Sequence, residues 1–400
     1  MGERDGGLAK VLTQAGVPYL ALSFLARISP SMLPLGIMLY GFDQLGAFGP
    51  AGVIVAFNAL GNAVGGPPFG AAADRFGQRV VGVVSAGLTT AGLAALLVAM
   101  RPGASVPVLA AFSFVTGFGN PRVSAIARGR WSAFARQRAD RARTASLAMS
   151  YEGAADEASF VIGPVLVTLL TAIHPAAGLV VALLLGLVPP LLFAMHPTAL
   201  GPGRSHTAVE GEPVGVPWLR LVPVAIVTTC LGLFFGTAST GYAASMEAVG
   251  RAELTGLVYG AMGVGSAFSS LAAARLPMRF TQRSRLVVFA AALFLLAPLM
   301  YVASSPLALG AVALATGLAL GPVLIGSFAI AESVTPLAQI STVMSALSTA
   351  ITVGVAAGSS IAGPVVDRSG AAHSLLLPGA AAALCLVAAL VNVGVRRIRR

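Results

Sequence analysis

Residues 70–79 read GAAADRFGQR, and 200 positions later residues 270–279 read SLAAARLPMR. Both segments carry arginine at their sixth and tenth positions, and the same offset relates Gly117 to Gly317. This repeat predicts that the chain consists of two similar halves that arose by duplication. In a strongly apolar chain, duplication is typical of transporters whose two similar halves enclose a substrate path.

The composition places the chain in a lipid bilayer. Hydrophobic residues make up 56% of the 400, charged residues only 10%, and the mean hydropathy is +0.87, whereas soluble domains carry about 25% charged residues. Apolar runs of about 20 residues, the length that a spanning helix needs, recur along the chain. They predict an all-α polytopic membrane protein with twelve transmembrane helices at 16–41, 50–73, 79–100, 105–128, 145–173, 176–196, 218–243, 254–275, 285–304, 306–331, 339–366 and 371–395.

The basic residues set the predicted orientation. Of 25 Lys and Arg residues, 20 fall in alternate loops or chain ends on one side, and only Arg101, Arg251 and Arg368 fall on the other. By the positive-inside rule, both termini are predicted to be cytoplasmic in a multi-pass plasma-membrane protein. This distribution accounts for the net charge of +11 without a nucleic-acid partner. The basic stretch 128–143 either sets topology or contacts anionic lipid headgroups.

Three segments divide the chain. A Pro/Gly-rich polar stretch between the sixth and seventh helices is typical of a linker. We therefore predict a first six-helix bundle at 1–196, a cytoplasmic linker at 197–217 and a second, pseudo-symmetric bundle at 218–400. Small residues that permit close helix packing predict faces where helices slide, namely Gly61, Gly65 and Gly66 in helix two and Gly354 and Gly358 in helix eleven.

No cofactor or metal is predicted. Cys230 and Cys385 fall inside predicted spans, and the four histidines are scattered without metal-ligand spacing. A membrane-embedded enzyme or a non-transporting sensor would need a catalytic constellation or a sizeable soluble domain, and neither is apparent. The expected partners are a small-molecule substrate and the lipid bilayer, and the chain is expected to function as a monomer.

The first quoted segment resembles the signature G-x-x-x-D-R-x-G-x-R of the major facilitator superfamily, at the expected place between helices two and three. The residues that carry the resemblance are Gly70, Asp74, Arg75, Gly77 and Arg79. The resemblance covers the whole chain and implies two six-helix bundles that rock about a central site to alternate access. It also implies that this loop is part of the cytoplasmic gate, with the aspartate near the start of helix eleven.

Two departures from the family pattern qualify the resemblance. The second-half position of the gate aspartate is Ala274, so the gate is predicted to be asymmetric. Helix five carries Gly163 and Pro164 in a stretch similar to the drug-antiporter pattern G-x-x-x-G-P-x-x-G-G, but both trailing glycines are absent. The same pair recurs 200 positions later at Gly363 and Pro364. Drug:proton antiport is therefore an expectation rather than a consequence of the motifs.

An ionisable side chain inside a span needs a charge partner or a functional role, because its insertion into the bilayer costs roughly 2.5–3.5 kcal/mol on insertion scales. Five fall inside predicted spans: Arg27, Arg122, Glu152, Asp156 and Glu157. Depth along the helices pairs Arg27 with Asp156 or Glu157, and Arg122 with Glu152. One carboxylate is then in excess and could load and release a proton. The alternative is that all five form a fixed polar clasp.

Further polar and soft apolar side chains are candidates for a substrate cavity. The asparagines of helix two either bind substrate or bond a neighbouring helix. The candidates are Asn58, Asn62, Tyr151, Phe234, Phe235, Tyr259, Met262 and Met344.

The sequence therefore predicts a secondary transporter that exports an amphiphilic or hydrophobic small molecule, driven by a proton gradient. A proton-coupled nutrient or metabolite importer is the alternative within transport.

Overall fold

The computed structural model describes residues 16–136, 141–202, 218–273, 280–335 and 340–397, and every regular element in these ranges is a helix. We number the membrane-crossing segments in chain order: α1 Val17–Leu45, α2 Phe48–Phe76, α3 Gln78–Ala99, α4a Val106–Phe118, α4b Val123–Arg136, α5 Arg141–Thr171, α6 Ala177–Met195, α7 Trp218–Ala248, α8 Thr255–Ala273, α9 Gln282–Leu296, α10 Pro306–Val334, α11 Ile340–Ser369 and α12 Leu377–Arg397. Short helical turns at Ala252–Leu254, Leu299–Val302 and Ala371–Ser374 flank α8, α9 and α12. The predicted twelve-helix fold is confirmed.

Length and composition alone let ten of these helices cross a membrane, within the part of the chain that the structure describes. The fourth segment is the clearest departure from the sequence prediction, because it is broken between Phe118 and Val123. Pro121 lies in the break. Proline lacks an N–H and disfavours helical backbone in the residue before it, so the break follows from the sequence. Beyond it, α4b continues as a helix to Arg136, well past the predicted end of the span at residue 128.

Successive segments run antiparallel, so α1 begins and α12 ends on the same side of the molecule. We call this side the termini face and the opposite side the distal face. The predicted linker lies largely outside the described residues, at 203–217.

Each half of the chain has its own apolar core. The second-half core is formed entirely by residues of the second half, among them Phe234, Met262 and Leu320, all at most 1% exposed. The first-half core includes Met32, Ile54 and other side chains of α1 to α6, joined by two alanines from the distal end of α7 and flanked by the partly buried Val366 and Ala371. Two largely separate cores permit the bundles to move as units.

Glycines place helices of one bundle in direct backbone contact. Gly61 and Gly65 of α2 lie against the backbone of α4a, and a Cβ at either position would overlap a carbonyl oxygen. Gly354 and Gly358 of α11 lie against α7 in the same way. These faces are tight contacts inside each bundle rather than between the bundles.

The two bundles meet along two seams in the distal half of the molecule. In one seam, Gly52 of α2 lies against Ser359 of α11, and Gly363 lies against Phe48. In the other, α5 packs on the glycines of α8, where a Cβ at Gly263 would lie 2.8 Å from Val161 Cγ2. The contacts in both seams involve the distal ends of these four helices, and the α7 alanines meet the first-half core at the same end of the molecule. The described contacts therefore close the distal face.

Candidate functional site

A buried ion pair joins α1 to α5. Arg27 is 5% exposed and Glu152 is fully buried, and a terminal guanidinium nitrogen of Arg27 donates to Oε2 of Glu152. An isolated charge at this depth would be strongly unfavourable, so each group depends on the other.

Tryptophan completes the environment of Glu152. Trp131 Nε1 on α4b donates to Glu152 Oε1 at 2.8 Å. The indole is 2% exposed and meets Tyr19 of α1 edge to face, with ring centroids 5.6 Å apart. Both carboxylate oxygens of Glu152 therefore have a donor, and an apolar wall excludes water from the pair.

Asp156 lies one helical turn beyond Glu152 and extends the pair into a network. Its Oδ1 accepts a hydrogen bond from Ser124 Oγ at 2.6 Å and lies 3.3 Å from Arg27 Nε. Its Oδ2 accepts from an Arg128 terminal nitrogen at 2.6 Å. The Arg128 side chain is 44% exposed and that of Asp156 is 22% exposed. We call this set the charge network: Arg27, Ser124, Arg128, Trp131, Glu152 and Asp156.

The charge network is formally neutral, and Glu157 stands outside it. Two guanidinium groups balance the two carboxylates of Glu152 and Asp156. Glu157 is half-buried and forms no hydrogen bond or ion pair with the residues that the structure describes. Residue 157 precedes Val161 by one helical turn, and Val161 faces the α8 glycines. Glu157 thus lies on the α5 side that faces the second bundle, one turn nearer the termini face than the seam.

Arg122 is placed differently from the sequence prediction. It lies in the break between α4a and α4b, where a terminal nitrogen donates to the backbone carbonyl of Asn62. Its Nε is buried without a hydrogen-bond partner among the described residues. The predicted pair between Arg122 and Glu152 does not form. The break directs the Arg122 side chain toward α2, and Glu152 is paired with Arg27 instead.

The loop that resembles the family signature joins α2 to α3 on the termini face. Gly77 ends α2 with a φ of +87°, a left-handed conformation that favours glycine. Gly70 and Arg75 are exposed, and the Arg75 guanidinium lies 5.2 Å from the Phe76 ring centroid. Arg79 reaches the Met195 carbonyl at 3.5 Å. The Asp74 side chain lies outside the described part of the structure, so its gate role stays a prediction.

The segment after α6 covers this loop and is held by Arg130. Arg130 Nε donates to Gln78 Oε1, and one of its terminal nitrogens donates to the Phe193 carbonyl, both at 2.9 Å. The backbone N–H of Gln78 in turn donates to the Leu200 carbonyl at 3.0 Å. The start of the linker is therefore fixed to the first bundle.

The polar cavity candidates bond to neighbouring backbone and side chains. Asn58 Nδ2 donates to the Ser113 carbonyl at 3.1 Å, and Asn62 Oδ1 accepts from Asn120 at 3.0 Å. These bonds join α2 to the fourth segment. They correspond to the alternative in which the asparagines bond a neighbouring helix rather than the substrate. The Tyr151 hydroxyl lies 3.5 Å from the Leu20 carbonyl of α1.

The apolar candidates divide between core and partly exposed positions. Phe234 and Met262 are 0% and 1% exposed in the second-half core in this conformation, and their place in a substrate cavity stays a prediction. Phe235, Tyr259 and Met344 are only partly buried and pack against that core. Gly163 lies against Ser31 of α1, and the Pro164 carbonyl lies against Gly256 in the α5–α8 seam.

Sequence reasoning missed Ser124, Arg128 and Trp131. Trp131 stands among arginines just beyond the predicted end of the fourth span. A buried indole N–H needs a hydrogen-bond acceptor, so this residue could have been predicted to bond a carboxylate. The same signal would have placed the end of the fourth segment further along the chain.

The comparisons with known proteins agree with this architecture. Residues 19–249 match the sequence profile of the Major Facilitator Superfamily. No curated protein sequence matches the chain.

Solved structures share the fold at low sequence identity. The nucleoside transporter NupG superposes with a TM-score of 0.74 at 13% identity, over 94% of this chain and 98% of that one. The POT family transporter PepTSo gives 0.69 at 13% identity, over 95% and 97%. The human organic anion transporter MFSD10 gives 0.60 at 18% identity, over 93% and 99%. At such identities these similarities establish the fold alone.

The profile match spans more than half of the chain, and the twelve helices form the two bundles that such transporters share. The chain therefore belongs to the Major Facilitator Superfamily, and it is a membrane transporter rather than an enzyme.

Proposed function

We propose that this chain is a proton-coupled secondary transporter of the plasma membrane that exports an amphiphilic or hydrophobic small molecule by alternating access. The observation that carries the proposal is the contrast between the neutral charge network and the unpaired Glu157 beside it.

Glu157 is the carboxylate of α5 that has no arginine partner among the described residues. Within a membrane, an unpaired carboxylate is stable only when it is neutralised by a proton or by a cation. Glu157 has no such partner among the described residues, whereas Glu152 and Asp156 are each paired with an arginine. We therefore assign the proton to Glu157 and a structural role to the other two, which narrows the sequence prediction.

The location of Glu157 supports its coupling role. Glu157 lies on α5 one helical turn nearer the termini face than the contacts of α5 with the α8 glycines. A carboxylate at such a position changes its access from one side to the other when the bundles rock. Either a proton or a positively charged group of the substrate can neutralise this single carboxylate. Binding of the substrate would therefore release the proton, and binding of a proton would release the substrate. This arrangement favours antiport of a substrate with an apolar body and positive charge.

The proposal is tested with purified protein in proteoliposomes. A panel of amphiphilic cations, neutral amphiphiles, nucleosides and peptides is assayed with and without an imposed pH gradient. We expect accumulation of a cationic amphiphile, driven by a proton flux in the opposite direction. Transport that is indifferent to the pH gradient, or accumulation in the same direction as the proton flux, would overturn the proposed antiport.

A further inference from the structure

The distal end of α11 carries a second copy of the gate signature, one that does not follow the 200-residue duplication. Gly363, Asp367, Arg368 and Gly370 stand at the same spacing as Gly70, Asp74, Arg75 and Gly77, the pattern G-x-x-x-D-R-x-G. The offset is 293 residues. The first copy ends α2 on the termini face and the second ends α11 on the distal face.

The two copies share their backbone geometry. Gly77 has φ +87° and ψ 152°, and Gly370 has φ +85° and ψ 165°. Each glycine N–H donates to the carbonyl four residues earlier, at 3.0 Å for Gly77 and 2.8 Å for Gly370. Gly77 is followed at once by α3, and Gly370 by the short helical turn Ala371–Ser374. The pattern therefore specifies one local structure at opposite ends of the molecule.

The aspartate of the second copy bridges the two bundles. Asp367 Oδ1 accepts a hydrogen bond from the Phe48 N–H at 2.8 Å, and Oδ2 accepts from the Gly49 N–H at 2.6 Å. These are the first two residues of α2, whose N-cap position, Ala47, provides no side-chain hydrogen bond. A helix N-terminus has free N–H donors and partial positive charge, which a carboxylate satisfies. Here the cap comes from the other half of the chain.

We infer that Asp367 is a distal latch, which stabilises the conformation closed on the distal face by capping α2 from the opposite bundle. The latch breaks when the bundles separate there, because the first turn of α2 then loses its only carboxylate partner among the described contacts. Since α2 and α11 each end in the same signature, the geometry assigns to Asp367 on the distal face the role that the family resemblance implies for Asp74 on the termini face. The inference rests on the proposed alternating access.

The test measures how often the distal seam opens. Ser359 of α11 is fully buried where Gly52 approaches, two turns inside the latch. Ser359→Cys becomes reactive only when the seam opens, and the natural Cys230 and Cys385 are both buried. The rate of labelling by a membrane-impermeant maleimide is measured on purified protein in lipid nanodiscs, where both faces are accessible. No substrate is required, so this assay can succeed even if the proposed transport activity fails.

In the Ser359→Cys background, Asp367→Asn is expected to raise the labelling rate about fivefold, because the amide keeps one acceptor oxygen for the two N–H groups and loses the negative charge at the helix N-terminus. Asp43→Asn is the matched control. Asp43 is an exposed carboxylate at the distal end of α1, and its recorded side-chain hydrogen bond is with the adjacent Gln44. The Asp43→Asn substitution removes the same charge from the same face and should leave the labelling rate unchanged.

A double variant separates the latch from simple helix capping. Ala47 has the extended backbone of a helix N-cap, φ −147° and ψ 141°, so Ala47→Ser gives α2 a cap from its own bundle. If Asp367 is a latch, Ala47→Ser with Asp367→Asn keeps the raised labelling rate while thermal stability returns toward the starting value. A labelling rate that falls back to the starting value, or equal rates in Asp367→Asn and Asp43→Asn, would overturn the inference.

Discussion

Replacing Arg27 by methionine should strongly destabilise the protein. The substitution keeps most of the side-chain volume but leaves the fully buried Glu152 without its charge partner, and only the Trp131 hydrogen bond remains. Removing one member of a buried ion pair typically costs about 3–5 kcal/mol. The free energy of unfolding should fall by a similar amount in Arg27→Met.

The double variant makes this reasoning quantitative. Arg27→Met with Glu152→Met removes both charges and leaves an apolar contact of similar volume, so it should restore stability to within about 1–3 kcal/mol of the wild type. The unpaired Trp131 N–H and the loss of the Arg27 contact to Asp156 account for the remainder. The two sites should therefore be strongly coupled in a double-mutant cycle.

An exposed ion pair in the same chain provides the control. Arg251 Nε lies 2.7 Å from Glu253 Oε1, but the two side chains are 57% and 39% exposed. Such pairs contribute about 0–1 kcal/mol, so Arg251→Met should change stability little. Unfolding is followed by circular dichroism during SDS titration in mixed micelles. Equal destabilisation by Arg27→Met and Arg251→Met, or additive effects of Arg27→Met and Glu152→Met, would refute the assignment of a structural role to the buried pair.

Three further predictions concern the α5–α8 seam, the gate loop and the orientation in the membrane. Gly256→Val places side-chain atoms on Thr168 and the Pro164 carbonyl in the α5–α8 seam, so it should increase Ser359→Cys labelling, whereas Gly87→Val, which meets open space, should not. Asp74→Ala should impair transport far more than changes at Ala274, since the predicted gate has one aspartate; unaltered transport together with unaltered cysteine accessibility on both faces would leave the loop only a topological role. Labels at 197–216 and at the C-terminus should react only from the cytoplasm, and external reactivity of either would reverse the predicted orientation.

The fold was predictable because hydropathy dominates the placement of helices. Twelve long apolar runs leave few alternatives for a chain in a bilayer. The break in the fourth segment was also readable, since Pro121 stands among Gly119 and Asn120. The extent of α4b, which carries Trp131 on a helix rather than in a loop, was not predicted.

The site was predictable as a set of residues but not as a set of pairs. Depth along the helices paired Arg27 with Asp156 or Glu157, yet Arg27 contacts Glu152 and Asp156. An arginine side chain spans more than one helical turn, so depth alone cannot select between carboxylates at i and i+4. The direction of Arg122 depends on the break beside it, and the cap of α2 by Asp367 depends on contact between residues over 300 positions apart. Neither follows from periodicity within one helix.

Substrate accumulation by Glu157→Gln tests the central claim most directly. For one proton exchanged per substrate, a pH difference of one unit corresponds to about 1.4 kcal/mol and therefore supports up to about a tenfold substrate gradient. In proteoliposomes, the wild type should reach a gradient that grows with the imposed pH difference. Glu157→Gln should show none while retaining substrate counterflow in the absence of a pH gradient, and Glu253→Gln on the exposed turn should behave as the wild type. If correctly folded Glu157→Gln still accumulates substrate in proportion to the pH difference, Glu157 does not carry the proton.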